Sequence, residues 1–200
     1  MMDISRQFEI FTRINTQAYE SMRNELLDQP KELTNVIKTN ASSTQWPDRI
    51  HAGILNGWSQ HRDMYLSILK ELDAVDVEME SKTVVGISRI WDAYALRAKE
   101  KYGSAVLPLA WEVILKFESS WPDWKVITFF YMIGAVPDVQ SIDPMVWVLE
   151  RTDSSLIRQI AGKTLAKLPK EEVTGQMQQL SEKSVHILQV IDNTLYEMGE

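Results

Sequence analysis

The chain has 200 residues, a formal net charge of −7, 44% hydrophobic and 24% charged residues, and no cysteine. That balance fits one folded α-helical domain over residues 1–200 and excludes a disordered composition, disulfides, thiolate zinc sites and a cysteine nucleophile. The excess of carboxylates opposes nonspecific attraction to nucleic acid or an anionic membrane and would attract a basic partner, although mildly acidic charge also serves solubility alone.

Met1 to Phe11 carries charges where a signal peptide needs an unbroken apolar core, so a cytoplasmic protein is expected. From Ile4 to about Leu27, the residues Phe8, Phe11, Ile14, Tyr19, Met22 and Leu26 trace the stripe of a first long helix. Asp28-Gln29-Pro30 breaks it, and a shorter helix is predicted from Lys31 to Lys38. Trp46-Pro47-Asp48 opens a helix through Ile50, Ile54, Leu55 and Trp58. Another holds Met64, Tyr65, Ile68, Leu69 and Leu72, and the two read as an αα-hairpin.

A helix from about Thr83 to Tyr102 follows, with Gly103 as its C-terminal cap. Val106 to Phe117 makes the next helix. Trp121-Pro122-Asp123 opens an apolar helix from Trp124 to Ala135, and Asp143-Pro144 starts one holding Met145, Val146, Val148 and Leu149. The longest apolar run, Val126 to Val136, is about half the ~20 residues that a membrane span requires. In the helix from Asp153 to Leu168, the residues Leu156, Ile157, Ile160, Ala161, Leu165 and Leu168 form a stripe, with Asp153 as N-cap and Pro169 as the stop. A weaker helix spans Lys170 to Leu180, and an amphipathic one carries Val185, Ile187, Leu188, Ile191, Leu195 and Tyr196. The class is all-α.

Helix starts at Trp46, Val84, Trp121 and Asp153 fall at similar but unequal intervals, as paired-helix repeats would. Arg49-Ile50-His51-Ala52-Gly53 echoes Arg158-Gln159-Ile160-Ala161-Gly162, and Trp46-Pro47-Asp48 echoes Trp121-Pro122-Asp123. Chance alone can produce either match.

Asp153, Ile157, Arg158, Ala161, Leu165 and Leu168 resemble the second-helix pattern of HEAT repeats. The resemblance implies that Asp153 caps its own helix and that Arg158 bridges neighbouring units. It implies an irregular HEAT-like α-solenoid or stacked αα-hairpins of about ten helices, with a repeat-like core at about 46–168 and terminal helices capping it. In size, charge and irregularity the chain is similar to small bacterial immunity proteins, which neutralise a toxin delivered by a neighbouring cell. On that analogy it is expected to be no enzyme, to need no cofactor, and to bind and occlude a basic, nuclease-type toxin, whose substrate groove an acidic surface can plug.

Candidate binding residues follow from charge and aromaticity. Glu71, Asp73, Asp76, Glu78 and Glu80 place five carboxylates in ten residues with no Lys or Arg among them. An incoming cation would relieve their repulsion; a solvated helix end would carry the same charges. No EF-hand spacing is present. Of the seven tryptophans, Trp58, Trp91, Trp111 and Trp147 sit on apolar stripes and read as core. Glu118, Trp121, Asp123 and Trp124 instead cluster at a turn and suit an interface.

His51, His61 and His186 lack the paired spacing of a helical metal site, and no phosphate loop or nucleophile elbow occurs. The alternative enzymatic expectation is a HEAT-like DNA glycosylase for alkylated bases, whose residue types Trp121, Asp123 and Arg158 supply. The net acidity opposes it. A helical-repeat scaffold subunit is the third expectation.

Overall fold

The computed structural model describes residues 16–79, 95–116, 123–180 and 185–199. The described residues are helical with no strand. Nine helices are bounded among them: α1 Thr16–Leu27, α2 Pro30–Ala41, α3 Trp46–Met79, α4 Leu107–Leu115, α5 Asp123–Ala135, α6 Ile142–Leu149, α7 Ser155–Leu165, α8 Lys170–Leu180 and α9 Val185–Met198. Residues 95–102 are helical as well. The chain divides into two compact units, Met1–Ala74 and Val75–Glu200.

In the first unit the Asp28–Pro30 break is where the periodicity puts it. Pro30 takes the first position of α2, where a helix has no use for the missing N–H, and Thr34 Oγ1 donates to the Pro30 carbonyl at 2.7 Å. The core is built from Tyr19, Met22 and Leu26 of α1, Leu33 of α2, and Ile50, Ile54, Leu55, Trp58, Tyr65 and Ile68 of α3. Buried polar groups lie among them. The Arg23 guanidinium stacks 3.9 Å from the Trp58 ring centroid, and the Tyr19 and His51 rings are 5.8 Å apart. Residues Trp46 to Leu72, expected as two helices, are a helical stretch that divides into two at a kink. A single non-helical residue, His61 (φ −131°, ψ 26°), breaks it, and the Trp58 and Tyr65 rings meet edge-to-face at 5.2 Å across that break.

In the second unit, Gly103 adopts φ +58°, the left-handed conformation that closes a helix C-terminus at least cost to glycine, as its position predicts. A 3₁₀ turn at Gly103–Val106 leads into α4. Helices α4, α5 and α6 are apolar on nearly every side, and the packing explains it: Leu109, Ile114, Phe130, Met132, Ile133, Met145, Val148 and Leu149 are all fully buried. Trp111 Nε1 donates to Ser141 Oγ at 2.8 Å, which satisfies two polar groups inside that core.

Helix α7 touches α5, α6 and α9. Its stripe matches the expected one, with Ile157, Ile160, Ala161, Leu165 and Leu168 buried and Leu156 half-buried. Gly162 supplies what the stripe alone does not reveal: a Cβ there would lie 3.3 Å from Asn193 Cβ, so glycine lets α9 approach α7 closely. The helix ends at Leu165, before Pro169, whose carbonyl instead accepts from Val173 N at 3.1 Å in the first turn of α8.

Candidate partner-binding surface

Glu71, Asp73, Asp76 and Glu78 fall in the last turns of α3. Glu71 is exposed, and its carboxylate accepts from Ser67 Oγ at 3.4 Å. Glu80, Glu118 and Trp121 lie outside the described residues.

Asp123 is the first residue of α5 and is half-buried. Its Oδ2 accepts from Ser154 Oγ at 2.5 Å, and that same Oγ accepts from Ile157 N at 3.2 Å. One hydroxyl thus caps α7 and ties its start to the start of α5. The cap of α7 is Ser154, one residue later than the Asp153 expected from sequence. Asp153 is exposed, and its carbonyl accepts from Arg158 Nη2 at 2.8 Å. Arg158 Nη1 donates to the Thr152 carbonyl at 3.3 Å. Asp123 and Arg158 therefore converge on one loop, the carboxylate on its hydroxyl and the guanidinium on its carbonyls. Trp124 is half-buried, and its carbonyl accepts from Thr128 Oγ1 at 2.8 Å.

The tryptophans read as core behave so where described: Trp58, Trp111 and Trp147 are buried, while Trp91 lies outside the described residues. His51 is buried, and His61 occupies the break in α3. Among the described residues no group of three or more His, Cys, Asp or Glu side chains could hold a metal ion, and no helix is long and apolar enough to cross a membrane.

Two charged features escaped sequence reasoning. Glu112 is buried within the apolar α4, 2.7 Å from Lys116 Nζ, a pairing legible in the four-residue spacing. Arg151 stacks 3.9 Å from the centroid of Trp147 and donates to that residue's carbonyl at 3.0 Å. Burial lowers the Arg151 pKa from its ordinary value, and Glu150, 3.7 Å away, acts in the opposite direction. In comparisons with protein-family models, curated proteins and solved structures, nothing matches the chain.

Proposed function

We propose that this chain is a non-catalytic protein-binding module with a HEAT-like helical scaffold, a cytoplasmic immunity protein that occludes the active site of a cognate basic, nuclease-type toxin in contact-dependent growth inhibition. The observation that carries the reading is the net charge of −7 together with a carboxylate-rich helix end, where Glu71 is exposed. Nucleases bind phosphate chains with basic grooves, so an acidic surface is attracted to them from a distance and competes for the groove on contact. The tie between Asp123 and Ser154 makes Asp123 part of the frame that holds Trp124.

The test is co-expression with the product of the adjacent upstream gene. Protection of the cells supports the reading, and continued killing overturns it. Association of the purified pair should slow at least about tenfold between low and high salt, because screening shortens the Debye length from ~10 Å at 0.1 M to ~3 Å at 1 M. Combined Glu71→Gln, Asp73→Asn, Asp76→Asn, Glu78→Gln and Glu80→Gln substitutions should reproduce that slowing at low salt. Binding indifferent to both removes the electrostatic mechanism. Release of alkylated bases from DNA, lost on Asp123→Asn, would replace this reading with the glycosylase.

A further inference from the structure

The first compact unit contains Ser43 to Gly53 and the second contains Thr152 to Gly162. Their local hydrogen bonds correspond position by position. Ser43 Oγ accepts from Gln45 N at 3.1 Å, and Thr152 Oγ1 accepts from Ser154 N at 3.2 Å, each two residues along the chain. Arg49 Nη1 donates to the carbonyls of Ser43 and Thr44 at 3.1 and 2.9 Å. Arg158 does the same to Thr152 and Asp153 at 3.3 and 2.8 Å, dividing the task between Nη1 and Nη2. In both segments the arginine reaches back six and five residues, and the helix starts three residues after the hydroxyl. In both, the arginine is followed three residues later by a buried alanine, Ala52 or Ala161, and then by glycine.

We infer that these segments are two copies of one loop–helix module, in which an arginine clamp fixes how the chain enters α3 and α7. Helix preference does not explain the arginine. A cation in the first turns of a helix opposes the macrodipole, yet both copies place it at the fourth helical residue. What the position offers is two neighbouring loop carbonyls pointing the same way, whose dipoles repel until a guanidinium spans them with charge-assisted bonds. The clamp bonds lie inside the segment and so do not depend on what the helix packs against. The surroundings account for the differences: Ile50 is buried where Gln159 is exposed, and Ile157 is buried where Asp48 is half-buried. The cap also differs, since Ser154 caps α7 directly whereas Ser43 Oγ donates to Asp48 Oδ2 at 2.6 Å. This inference is independent of the proposed function.

The experiment is amide hydrogen exchange on the full chain, comparing wild type with Arg49→Met and Arg158→Met, which keep the aliphatic stem and remove the donors. Each is expected to speed exchange about tenfold or more at the amides of its own loop and first helical turn, and to leave the other segment at its wild-type rate. Core amides at 129–133 report whether the second unit has stayed folded. A second variant, Thr152→Ser with Asp153→Thr, installs the Ser43-Thr44 dipeptide while keeping Arg158. If the modules are equivalent, it exchanges like wild type and unfolds at the same temperature. Unchanged exchange in both Met variants overturns the clamp. A dipeptide exchange that loosens the loop as much as Arg158→Met overturns the equivalence.

Discussion

Gly162 and Gly175 lie in the interiors of α7 and α8, where glycine costs about 1 kcal/mol relative to alanine. Their surroundings predict opposite outcomes for the same substitution. A Cβ on Gly175 meets nothing within 4 Å, so Gly175→Ala should stabilise by about 0.5–1 kcal/mol through propensity alone. A Cβ on Gly162 would stand 3.3 Å from Asn193 Cβ, 3.5 Å from Thr194 Oγ1 and 3.7 Å from Thr194 N. Asn193 Cβ and Thr194 N ride on the α9 backbone, so relief requires the helix to move by a few tenths of an ångström; no rotamer change suffices. Overpacking of this kind costs about 1–3 kcal/mol, which equals or exceeds the propensity gain.

The two alanine variants should therefore differ by about 1–3 kcal/mol, with Gly162→Ala the less stable. At a urea m-value of about 2 kcal/mol/M this separates their midpoints by roughly 0.5–1.5 M, readable by far-UV circular dichroism. Should Gly162→Ala raise the midpoint as far as Gly175→Ala does, the close approach of α7 and α9 is not what glycine serves there.

Two further outcomes follow from the charged and capping groups. Glu112→Ala removes a carboxylate 2.7 Å from Lys116 Nζ, whose side chain is only 14% exposed. The expected cost is about 3 kcal/mol, most of it recovered in Glu112→Leu with Lys116→Met; equal losses in both variants by thermal unfolding would refute a buried-pair origin. Ser154→Ala should cost about 1–2 kcal/mol by removing the α7 cap, whereas Asp153→Ala should stay within about 0.5 kcal/mol. Chemical denaturation ranks the two, and the reverse order would return the cap to Asp153.

Much of the second unit was legible because its signals are local. A continuous apolar run predicts a buried helix at α5, and the Asp-Pro pair at Asp143-Pro144 marks the start of α6 to within a residue. Gly103 was readable as a cap because few other residues tolerate φ +58°. The candidate surface was less legible. Charge clustering finds Glu71 to Glu80, and of these carboxylates Glu71 is exposed with Ser67 Oγ as its hydrogen-bond donor. Nothing near Asp123 in sequence reveals Ser154, 31 positions away, as its hydrogen-bond partner.

Composition and periodicity by themselves determined that the chain is all-α, where most of its helices lie, and which stripes are buried, because these depend on residues three and four apart. Tertiary structure decided the rest. The two helical stretches within Trp46 to Met79 meet directly at His61, and the Trp58 and Tyr65 rings pack edge-to-face across that kink, a contact that spacing alone does not reveal. Ser154 displaces Asp153 as the cap because its hydroxyl serves α7 and Asp123 at once, while Arg158 holds the Asp153 carbonyl. Such assignments rest on groups brought together from distant parts of the chain, and spacing along a sequence carries no distance between them.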